Sequence, residues 1–341
     1  MPLVTRVPTG YDTLTGEVKA WDIQEVLNTE ILKPMKILVA TEKPFARKAV
    51  DGIREIIEGA GCELALLEKY TDKGQLLEAV ADADGIIIRS DKITAEVIAA
   101  AKNLRIVVRA GAGYDNVDLA AATERGIVVM NTPGQNSNAV AELAIAMMIY
   151  MSRNRFTPGT GSEIQGKTLG IHAYGNVGKL VGRKGKALGM NVVAYDPFIT
   201  DGAVFAADGV EQVASVEELY KRSDFLSLHI PATPQTVGSI GYDLLMSMPK
   251  GATLVNTARK EVIDEAGVLR ALTEREDLKY ITDIAAGNQA ELDEKFGKRV
   301  FATPKKMGAE TAEANINAGL AAARQIVDFL KNGNRKFQVN K

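Results

Sequence analysis

The stretch Leu169-Gly170-Ile171-His172-Ala173-Tyr174-Gly175-Asn176-Val177-Gly178 decides the fold of this chain. It is typical of a buried strand that runs through a glycine turn into a helix, which we predict at 179–188. A second strand is predicted at 191–195 and leads directly to Asp196. This order is that of a dinucleotide-binding unit, in which backbone amides bind the pyrophosphate and an acid binds the ribose. An acid at Asp196 favours NAD, because it repels the additional phosphate of NADP.

One residue of this stretch departs from the dinucleotide motif. Ala173 occupies the first glycine position of G-x-G-x-x-G, so that only Gly175 and Gly178 remain in register. Glycine serves here because the backbone must approach the pyrophosphate closely and the helix must pack tightly on the strand. On this stretch alone, an ordinary strand–turn–helix corner remains an alternative.

The composition is that of a globular protein with more than one domain. The chain has 341 residues, of which 25% are charged and 46% hydrophobic, and this length suffices for two cores. A net charge of -2 provides no basic field for nucleic acid or an anionic membrane. One cysteine and two histidines argue against disulfides and a zinc cluster. Without a signal-peptide pattern or a bilayer-length apolar run, we expect a cytoplasmic protein.

Strands and helices alternate from Met35 onward, which predicts an α/β protein with parallel sheets. Residues 1–34 do not fit this pattern and are interpreted as an N-terminal extension. Strands are predicted at 37–40, 64–67, 85–89, 105–109, 127–130, 225–230, 253–257, 280–284 and 300–303. Helices are predicted at 46–60, 74–81, 95–101, 138–151, 215–221, 242–248, 264–273 and 309–330. The helix at 138–151 is too apolar for a surface helix, so we expect it to pack between domains or against a second subunit.

Charged residues follow several of the predicted strands. Arg259 could grip a substrate carboxylate with two hydrogen bonds, although an ion pair to Glu261 or Asp264 is an alternative. The segments 89–92 and 109–113 combine cations with small residues that have accessible amides, which suits an anion. His229 could be an acid–base group or, preferably, a residue that lines the cofactor site. His172 and the pair Lys305-Lys306 would by themselves be a buried structural histidine and a solvated doublet.

Five segments together resemble the D-isomer-specific 2-hydroxyacid dehydrogenases. These are Ile87–Ser90, Arg109–Asp118, Asn131–Asn138, His229–Pro234 and Val255–Arg259. The resemblance is closest to the branch of this family that oxidises D-3-phosphoglycerate in serine synthesis. It implies two doubly wound parallel-sheet domains, with a Rossmann-type NAD domain (135–303) inserted in a flavodoxin-like substrate domain (35–134 and 304–330), followed by a tail at 331–341.

The resemblance also implies roles for individual residues. The expected catalytic residues are Arg259, which grips the substrate carboxylate and carbonyl, and Lys305. Expected cofactor-binding residues are Gly175, Asn176, Val177, Gly178, Asp196, His229, Pro231, Thr257, Ala258 and Asp283. Expected substrate-binding residues are Arg89, Ser90, Lys92, Arg109, Gly111, Ala112 and Gly113. No metal is expected.

Two departures from the family pattern concern the chemistry. The family places its catalytic histidine after Thr-Pro, where this chain has Lys305, and its glutamate where this chain has Asn288. The chain could therefore bind NAD without turnover, use a shifted group such as His229, or use Lys305 as the acid–base residue. We favour Lys305, with Lys306 as a weaker candidate. A lysine must lose its proton before it can accept one, and the neutral Asn288 removes a carboxylate that would oppose this loss.

The expected reaction is the NAD-dependent oxidation of D-3-phosphoglycerate to 3-phosphohydroxypyruvate. The alternatives are a hydroxypyruvate, glyoxylate or other D-2-hydroxyacid reductase, and a catalytically silent NAD-binding protein. Since the sequence stops soon after the last predicted helix, we expect neither the regulatory domain of many relatives nor serine feedback through it. The expected partners are a small 2-hydroxy acid, which the resemblance implies is phosphorylated, and a second copy of the chain bound through the NAD domain.

Overall fold

The computed structural model describes residues 34–340, together with the backbone of two short antiparallel strands, β1 (Val7–Tyr11) and β2 (Val18–Trp21). Lys341 lies outside the described part, and so do the residues before Pro34 that belong to neither β1 nor β2. The residues interpreted as an N-terminal extension therefore fall largely outside it, and this interpretation stays a prediction. The described residues divide into two compact units.

The first unit holds a parallel sheet and comprises the residues up to Arg109, Tyr114–Asn131, and those from Ala322 onward. Its elements are β3 (Lys36–Thr41), α1 (Arg47–Gly59), β4 (Glu63–Glu68), α2 (Lys73–Val80), β5 (Gly85–Ile88), α3 (Ala95–Ala100), β6 (Ile106–Arg109), α4 (Leu119–Glu124) and β7 (Val128–Asn131). Among the described residues the strand order is β4-β3-β5-β6-β7. This is the flavodoxin-like order, whose ligand site is expected at the carboxyl ends of β3 and β5.

Apolar periodicity explains why these segments form a layered sheet. All four residues of β5 are buried, as expected for a parallel strand that is covered on both faces. In α1 the buried residues Ala49, Ile53 and Ile57 recur every fourth position and form one helix face. These apolar residues are buried between the sheet and its helices, and the polar residues lie beyond the ends of the strands.

The second unit holds the predicted dinucleotide fold and comprises Ala110–Gly113 and Thr132–Ala321. Its elements are α5 (Ser137–Ser152), β8 (Thr168–His172), α6 (Asn176–Ala187), β9 (Asn191–Tyr195), α7 (Ala203–Ala206), β10 (Glu211–Gln212), α8 (Val216–Arg222), β11 (Phe225–Leu228), α9 (Tyr242–Ser247), β12 (Thr253–Asn256), α10 (Glu265–Glu274), β13 (Lys279–Thr282), α11 (Gln289–Phe296) and β14 (Val300–Ala302). A last helix, α12 (Ala312–Asn332), contains the boundary between the units.

The strand order of the second sheet places a ligand site at the glycine turn. Its described strands are parallel and ordered β10-β9-β8-β11-β12-β13-β14. The order reverses between β8 and β11, and a ligand is expected beyond the carboxyl ends of these strands. The predicted fold class of two parallel-sheet domains is thus confirmed.

The structure differs from the sequence prediction in several places. The helix predicted at 179–188 begins at Asn176, directly after the glycine turn. Two short helices, α4 and α7, and the two-residue strand β10 were not predicted, because such short elements carry almost no periodicity. The boundaries between the units fall at 131/132 and 321/322, whereas 134 and 304 were predicted. Residues 110–113 also group with the second unit, not the first.

Two further features concern α5 and the membrane. The buried side of α5 packs on α6 and β12 within the second unit. Val140, Leu143 and Ile149 of this helix are only partly buried. No helix in the described part of the chain has both the length and the apolar character needed to cross a bilayer.

Candidate functional site

The turn between β8 and α6 presents helix N-terminal amides toward the expected pyrophosphate position. Gly175 is the N-cap of α6, so the first turn consists of Asn176, Val177 and Gly178, whose N–H groups lack partners within the helix. A Cβ added at Gly178 would clash with the carbonyl oxygen of Ala173 and lie 3.0 Å from Ile171 Cγ2. Gly178 is therefore needed for the close packing of α6 on β8.

Ala173 adopts a backbone conformation that favours glycine. Its φ is 76°, in the left-handed region where an alanine Cβ costs about 1–2 kcal/mol. The departure noted in the sequence thus changes the side chain but retains the backbone path of the motif. An alanine at this position stores strain, and it does not move the turn.

Asp196 lies beside the glycine turn, as its position after β9 predicted. One carboxylate oxygen accepts a hydrogen bond from the Tyr174 backbone N–H at 2.9 Å, and the other accepts one from the Phe198 N–H at 2.9 Å. Two amides therefore hold the carboxylate at the end of β9. This is where an acid would meet an adenosine ribose.

The buried hydroxyl of Thr257 provides a test of whether these residues fit a dinucleotide. Thr257 follows β12, is 6% exposed, and its Oγ1 has no hydrogen-bond partner in the described structure. Buried polar groups are nearly always paired, so an orphaned hydroxyl at a sheet edge points to a missing polar group. Together with the amides of α6 and with Asp196, it fits a bound dinucleotide.

The two histidines lie at the ends of the adjacent strands β8 and β11. The His229 N–H donates to the His172 carbonyl at 2.9 Å, and His229 Nε2 lies 2.9 Å from Ser227 Oγ. Burial, with His172 acting in the same direction, lowers the pKa of His229 to about 3. Burial lowers the pKa of His172 to about 4, against the opposing effect of Asp196. An acid–base group works best with a pKa near the working pH, so this geometry favours His229 as a lining residue.

The carboxyl ends of β12, β13 and β14 bring three expected site residues to one edge. These strands are neighbours in the sheet, and they lead respectively to Arg259, Asp283 and Lys305. We call these three strand ends the reacting edge. Parallel neighbouring strands end side by side, so side chains that are far apart in sequence are collected there.

Arg259 is presented by a turn that the side chain of Asn256 holds. Asn256 Oδ1 accepts from the Ala258 N–H at 2.9 Å, and its Nδ2 donates to the Arg259 carbonyl at 3.0 Å. Arg259 Nη1 donates to the Ala258 carbonyl at 2.9 Å. In the described structure Arg259 forms no ion pair with Glu261 or Asp264, which was the alternative from the sequence. Asp264 instead caps α10 by accepting from the Gly267 N–H at 3.1 Å.

Asp283 anchors both ends of the loop that carries Lys305. Its carboxylate is 0% exposed and accepts from Thr303 Oγ1 at 2.9 Å, the Met307 N–H at 2.8 Å and the Gly308 N–H at 2.8 Å. The Asp283 N–H donates to the Asn256 carbonyl at 2.9 Å. Asp283 therefore connects the turn of Arg259 to the loop of Lys305, and its predicted contact with the cofactor stays a prediction.

Lys305 itself is exposed at the centre of this anchored loop. Its ammonium group makes no hydrogen bond or ion pair with the described residues, so the loop is held by its neighbours and not by the lysine. Asn288, at the position of the family glutamate, is the N-cap residue of α11, and its buried Oδ1 has no hydrogen-bond partner in the described part. Both the lysine and the amide are thus available to a ligand.

In the first unit, the two expected anion-binding arginines are neighbours. Arg89 follows β5 and Arg109 ends β6, and Arg109 Nε donates to the Arg89 carbonyl at 3.0 Å. Arg89 Nη1 donates to the carbonyls of Lys43 and Pro44 at 3.1 and 3.2 Å. Its guanidinium carbon lies 5.3 Å from the centroid of the Phe45 ring. The loop after β3 therefore orients Arg89.

The other expected substrate residues are placed differently. Ser90 and Lys92 are exposed and line a depression of about 340 Å³, together with Glu42 and Tyr70. Lys92 thus borders this depression. Gly111, Ala112 and Gly113 belong to the second unit, where the Gly111 carbonyl accepts from the Thr132 N–H at 2.9 Å. Their predicted roles stay predictions.

The sequence reasoning missed the residues that hold the site in place. Asn256, Asp91 and Asn116 lie within the sequence motifs, but no role was predicted for them. Asn116 donates to the carbonyls of Arg89 and Asp91 at 3.2 and 2.7 Å. A polar residue directly before or after a functional one was the available signal. Its partners could not be found from sequence, since most of them lie on other strands.

Comparisons with known proteins agree with this geometry. A family model described as D-isomer specific 2-hydroxyacid dehydrogenase, catalytic domain, matches residues 38–340. A crystal structure of NAD+-bound 3-phosphoglycerate dehydrogenase from Entamoeba histolytica is 53% identical, with a TM-score of 0.79. The matched region covers 90% of this chain and 99% of the Entamoeba histolytica chain.

Curated relatives are longer proteins. D-3-phosphoglycerate dehydrogenase of Methanocaldococcus jannaschii is 39% identical over 277 residues, which are 76% of this chain and 52% of that protein. The enzyme of the same name from Archaeoglobus fulgidus is 36% identical over 313 residues, 87% of this chain and 58% of that protein. The chain thus spans about half the length of the curated relatives it matches. The family match and the two-sheet fold together establish that this chain belongs to the D-isomer specific 2-hydroxyacid dehydrogenases.

Proposed function

We propose that this chain oxidises D-3-phosphoglycerate to 3-phosphohydroxypyruvate with NAD, and catalyses the reverse reduction. The observation that carries the proposal is the reacting edge, where neighbouring strands bring Arg259, the buried Asp283 and the Lys305 loop together. Oxidation of a 2-hydroxy acid can use a guanidinium that binds the carboxylate and a base that removes the hydroxyl proton. The names of the Entamoeba, Methanocaldococcus and Archaeoglobus proteins support the same substrate.

NAD would be held by the second unit. The amides of Asn176, Val177 and Gly178 bind its pyrophosphate, Asp196 binds the adenosine ribose, and the unpaired Thr257 hydroxyl meets a polar group of the nicotinamide. When bound, NAD supplies the acceptor for the hydride from C2 of the substrate. His229, Pro231 and Ala258 line the same end of the sheet.

The remaining steps belong to side chains of this chain. Arg259 binds the substrate carboxylate with two hydrogen bonds and fixes its orientation. Lys305, in its neutral form, removes the proton of the C2 hydroxyl and returns it in the reverse direction. Asp283 restricts the loop of Lys305 through its bonds to Met307 and Gly308, which limits the entropy lost when the lysine meets the substrate.

Arg89 and Arg109, which lie at the ends of the neighbouring strands β5 and β6, favour a phosphorylated substrate. A 2-hydroxy acid without phosphate has no second anion for this pair, whereas the phosphate of 3-phosphoglycerate does. Charge-assisted hydrogen bonds contribute about 1.5–3 kcal/mol each. We therefore expect kcat/KM for the phosphorylated acid to exceed that for its unphosphorylated analogue by roughly tenfold to a hundredfold or more.

The test follows NADH oxidation with phosphohydroxypyruvate, hydroxypyruvate and glyoxylate, for the wild-type chain and for Arg89→Gln. We expect the wild type to prefer phosphohydroxypyruvate, and Arg89→Gln to lose this preference while it still reduces hydroxypyruvate. Preference for hydroxypyruvate or glyoxylate in the wild type would instead identify a reductase of unphosphorylated acids. Absence of turnover with all three, despite NADH binding, would identify a silent NAD-binding protein.

We also propose that the chain forms a homodimer through the second unit and works in the cytoplasm. The partly exposed apolar residues Val140, Leu143 and Ile149 of α5 support the dimer, since exposed apolar groups are commonly covered at subunit contacts. A single cysteine, buried at Cys62, suits a reducing compartment. Light scattering at micromolar concentration should give the dimer mass, and a monomer mass would contradict the first part. Fractionation of the source cells tests the second.

A further inference from the structure

Asp91 is a buried carboxylate at the carboxyl ends of β3, β4 and β5. It is 4% exposed, and its Oδ1 accepts from the Glu42 N–H at 2.7 Å and the Tyr70 hydroxyl at 2.8 Å. Its Oδ2 accepts from the Arg89 N–H at 3.2 Å. The described residues provide no ion pair for it, so these three donors compensate the burial of the carboxylate. One side chain therefore joins three strand ends.

The contact with Glu42 extends the influence of Asp91 to the Arg89 guanidinium. Glu42 begins the loop whose next residues, Lys43 and Pro44, accept hydrogen bonds from Arg89 Nη1 through their carbonyls. The Phe45 ring of the same loop lies beneath the guanidinium. The Asp91 carboxylate thus holds the backbone N–H of Arg89 directly. It holds the guanidinium indirectly, through the loop that begins at Glu42.

Tyr70 strengthens this arrangement from the opposite side. It is 7% exposed and follows β4, and burial together with the hydrogen bond to Asp91 raises its pKa above the ordinary value. The hydroxyl therefore remains a donor to Asp91 into the alkaline range. Asn116 adds two hydrogen bonds from its amide to the carbonyls of Arg89 and Asp91. The segment from Arg89 to Asp91 is consequently fixed on both sides.

A purely local role would not need these long-range contacts. The bond from the carboxylate to the N–H two residues earlier is a local contact that would hold the Arg89 backbone by itself. Here the same carboxylate also reaches Glu42 and Tyr70, which are 49 and 21 positions away. An arginine that is held before the ligand arrives loses less side-chain entropy on binding, so its contribution to affinity is larger.

We propose that Asp91 is a positioning residue for the substrate, which acts through Arg89 by fixing the guanidinium that binds the substrate phosphate. This inference rests on the proposed function, in particular on the assignment of Arg89 to the phosphate. Asp91 touches neither the cofactor nor the reacting atoms. Its effect is therefore confined to the affinity for phosphorylated substrates.

The first test is the kinetics of Asp91→Asn. The amide keeps one acceptor oxygen for Glu42 and Tyr70 but turns an N–H₂ donor toward the Arg89 N–H, so the loop must shift. We expect the KM for phosphohydroxypyruvate to rise about tenfold, which is the loss of about one hydrogen bond's contribution. The kcat, the KM for hydroxypyruvate and the Kd for NADH should stay within about twofold. Asp51→Asn, which removes an exposed carboxylate on α1, is the matched control and should change none of these values.

A double-mutant cycle with Arg89→Gln decides whether Asp91 acts through Arg89. If it does, Asp91→Asn adds little to the KM increase that Arg89→Gln causes alone. Additive effects of the two substitutions, or an equal rise of KM for hydroxypyruvate, would overturn the inference. If Asp91→Asn does not fold, Tyr70→Phe removes one donor to the carboxylate and should produce the same pattern at a smaller size.

The two proposals fail in distinguishable ways. If Arg89→Gln leaves the KM for phosphohydroxypyruvate unchanged, the assignment of Arg89 in the proposed function is wrong, and the inference falls with it. If Arg89→Gln raises this KM while both Asp91→Asn and Tyr70→Phe leave it unchanged, only the role of Asp91 is wrong.

Discussion

The turn between β8 and α6 and the reacting edge at the ends of β12, β13 and β14 lie in the same sheet but use different groups. In the proposed function the turn binds NAD through backbone amides, so its requirements concern space and φ at Ala173, Gly175 and Gly178. The reacting edge would act through side chains, and buried Asp283 and Asn256 hold the segments that present them. Backbone sites therefore tolerate a substitution that keeps the chain path. Side-chain sites tolerate a substitution that keeps the chemistry.

The largest expected effect tests the reacting edge. Lys305→Ala removes the proposed acid–base group without disturbing the bonds from Met307 and Gly308 to Asp283. We expect kcat to fall by about 10²- to 10⁴-fold, the usual contribution of a general acid–base residue. The Kd for NADH should be unchanged, since the cofactor contacts lie on other residues. Stopped-flow turnover with a fluorescence titration of NADH measures both quantities.

Lys306→Ala is the control for this prediction. Its turnover should stay close to that of the wild type, because Lys306 is the weaker candidate for proton transfer. Near-normal kcat for Lys305→Ala would contradict the assignment, and loss of kcat in Lys306→Ala alone would transfer the role to that residue.

The second prediction separates two glycines of the turn. A Cβ at Gly178 would clash with the Ala173 carbonyl oxygen, whereas one at Gly175 would meet nothing within 4 Å. We expect Gly178→Ala to lower the free energy of unfolding by about 1–3 kcal/mol, the usual cost of overpacking. Gly175→Ala should leave stability nearly unchanged but weaken NADH binding, because its methyl group lies where the backbone approaches the pyrophosphate.

Urea unfolding followed by circular dichroism, together with NADH titration, distinguishes these outcomes for the two glycines. Equal losses of stability in both variants would show that helix packing is not what Gly178 provides. Unchanged NADH affinity in Gly175→Ala would place the pyrophosphate elsewhere.

The smallest expected effect concerns the strained alanine. Ala173→Gly relieves the left-handed strain at φ 76° but adds freedom to the unfolded chain. The net gain is expected to be about 0.5–1 kcal/mol in the free energy of unfolding. The comparison variant is Ala207→Gly, at an exposed residue with an ordinary φ of -58°, which should lose stability. Urea denaturation of both variants checks the signs, and a loss of stability in Ala173→Gly would show that the turn is not strained.

Much of the fold was predictable because it follows from local patterns of apolar and polar residues. Buried strands such as β5 and β12 are short apolar runs with polar ends, and helices such as α1 repeat apolar residues every three or four positions. Arg259 could be selected because it follows the end of such a strand, whereas Lys305 was selected only through the family resemblance. The start of α6 was predicted three residues late, because Asn176, Val177 and Gly178 were assigned to the turn although they form the first helical residues.

The sequence by itself determined the order of strands and helices, the glycine turn with its acid at Asp196, and the residue types at the strand ends. Only the tertiary structure decided which of these residues are fixed and by what. The partners of Asp283 on the Lys305 loop lie 24 and 25 positions away, and the Glu42 partner of Asp91 lies 49 positions away. Burial of a carboxylate and its compensation by distant amides depend on how strands are stacked side by side, and no local pattern encodes that stacking.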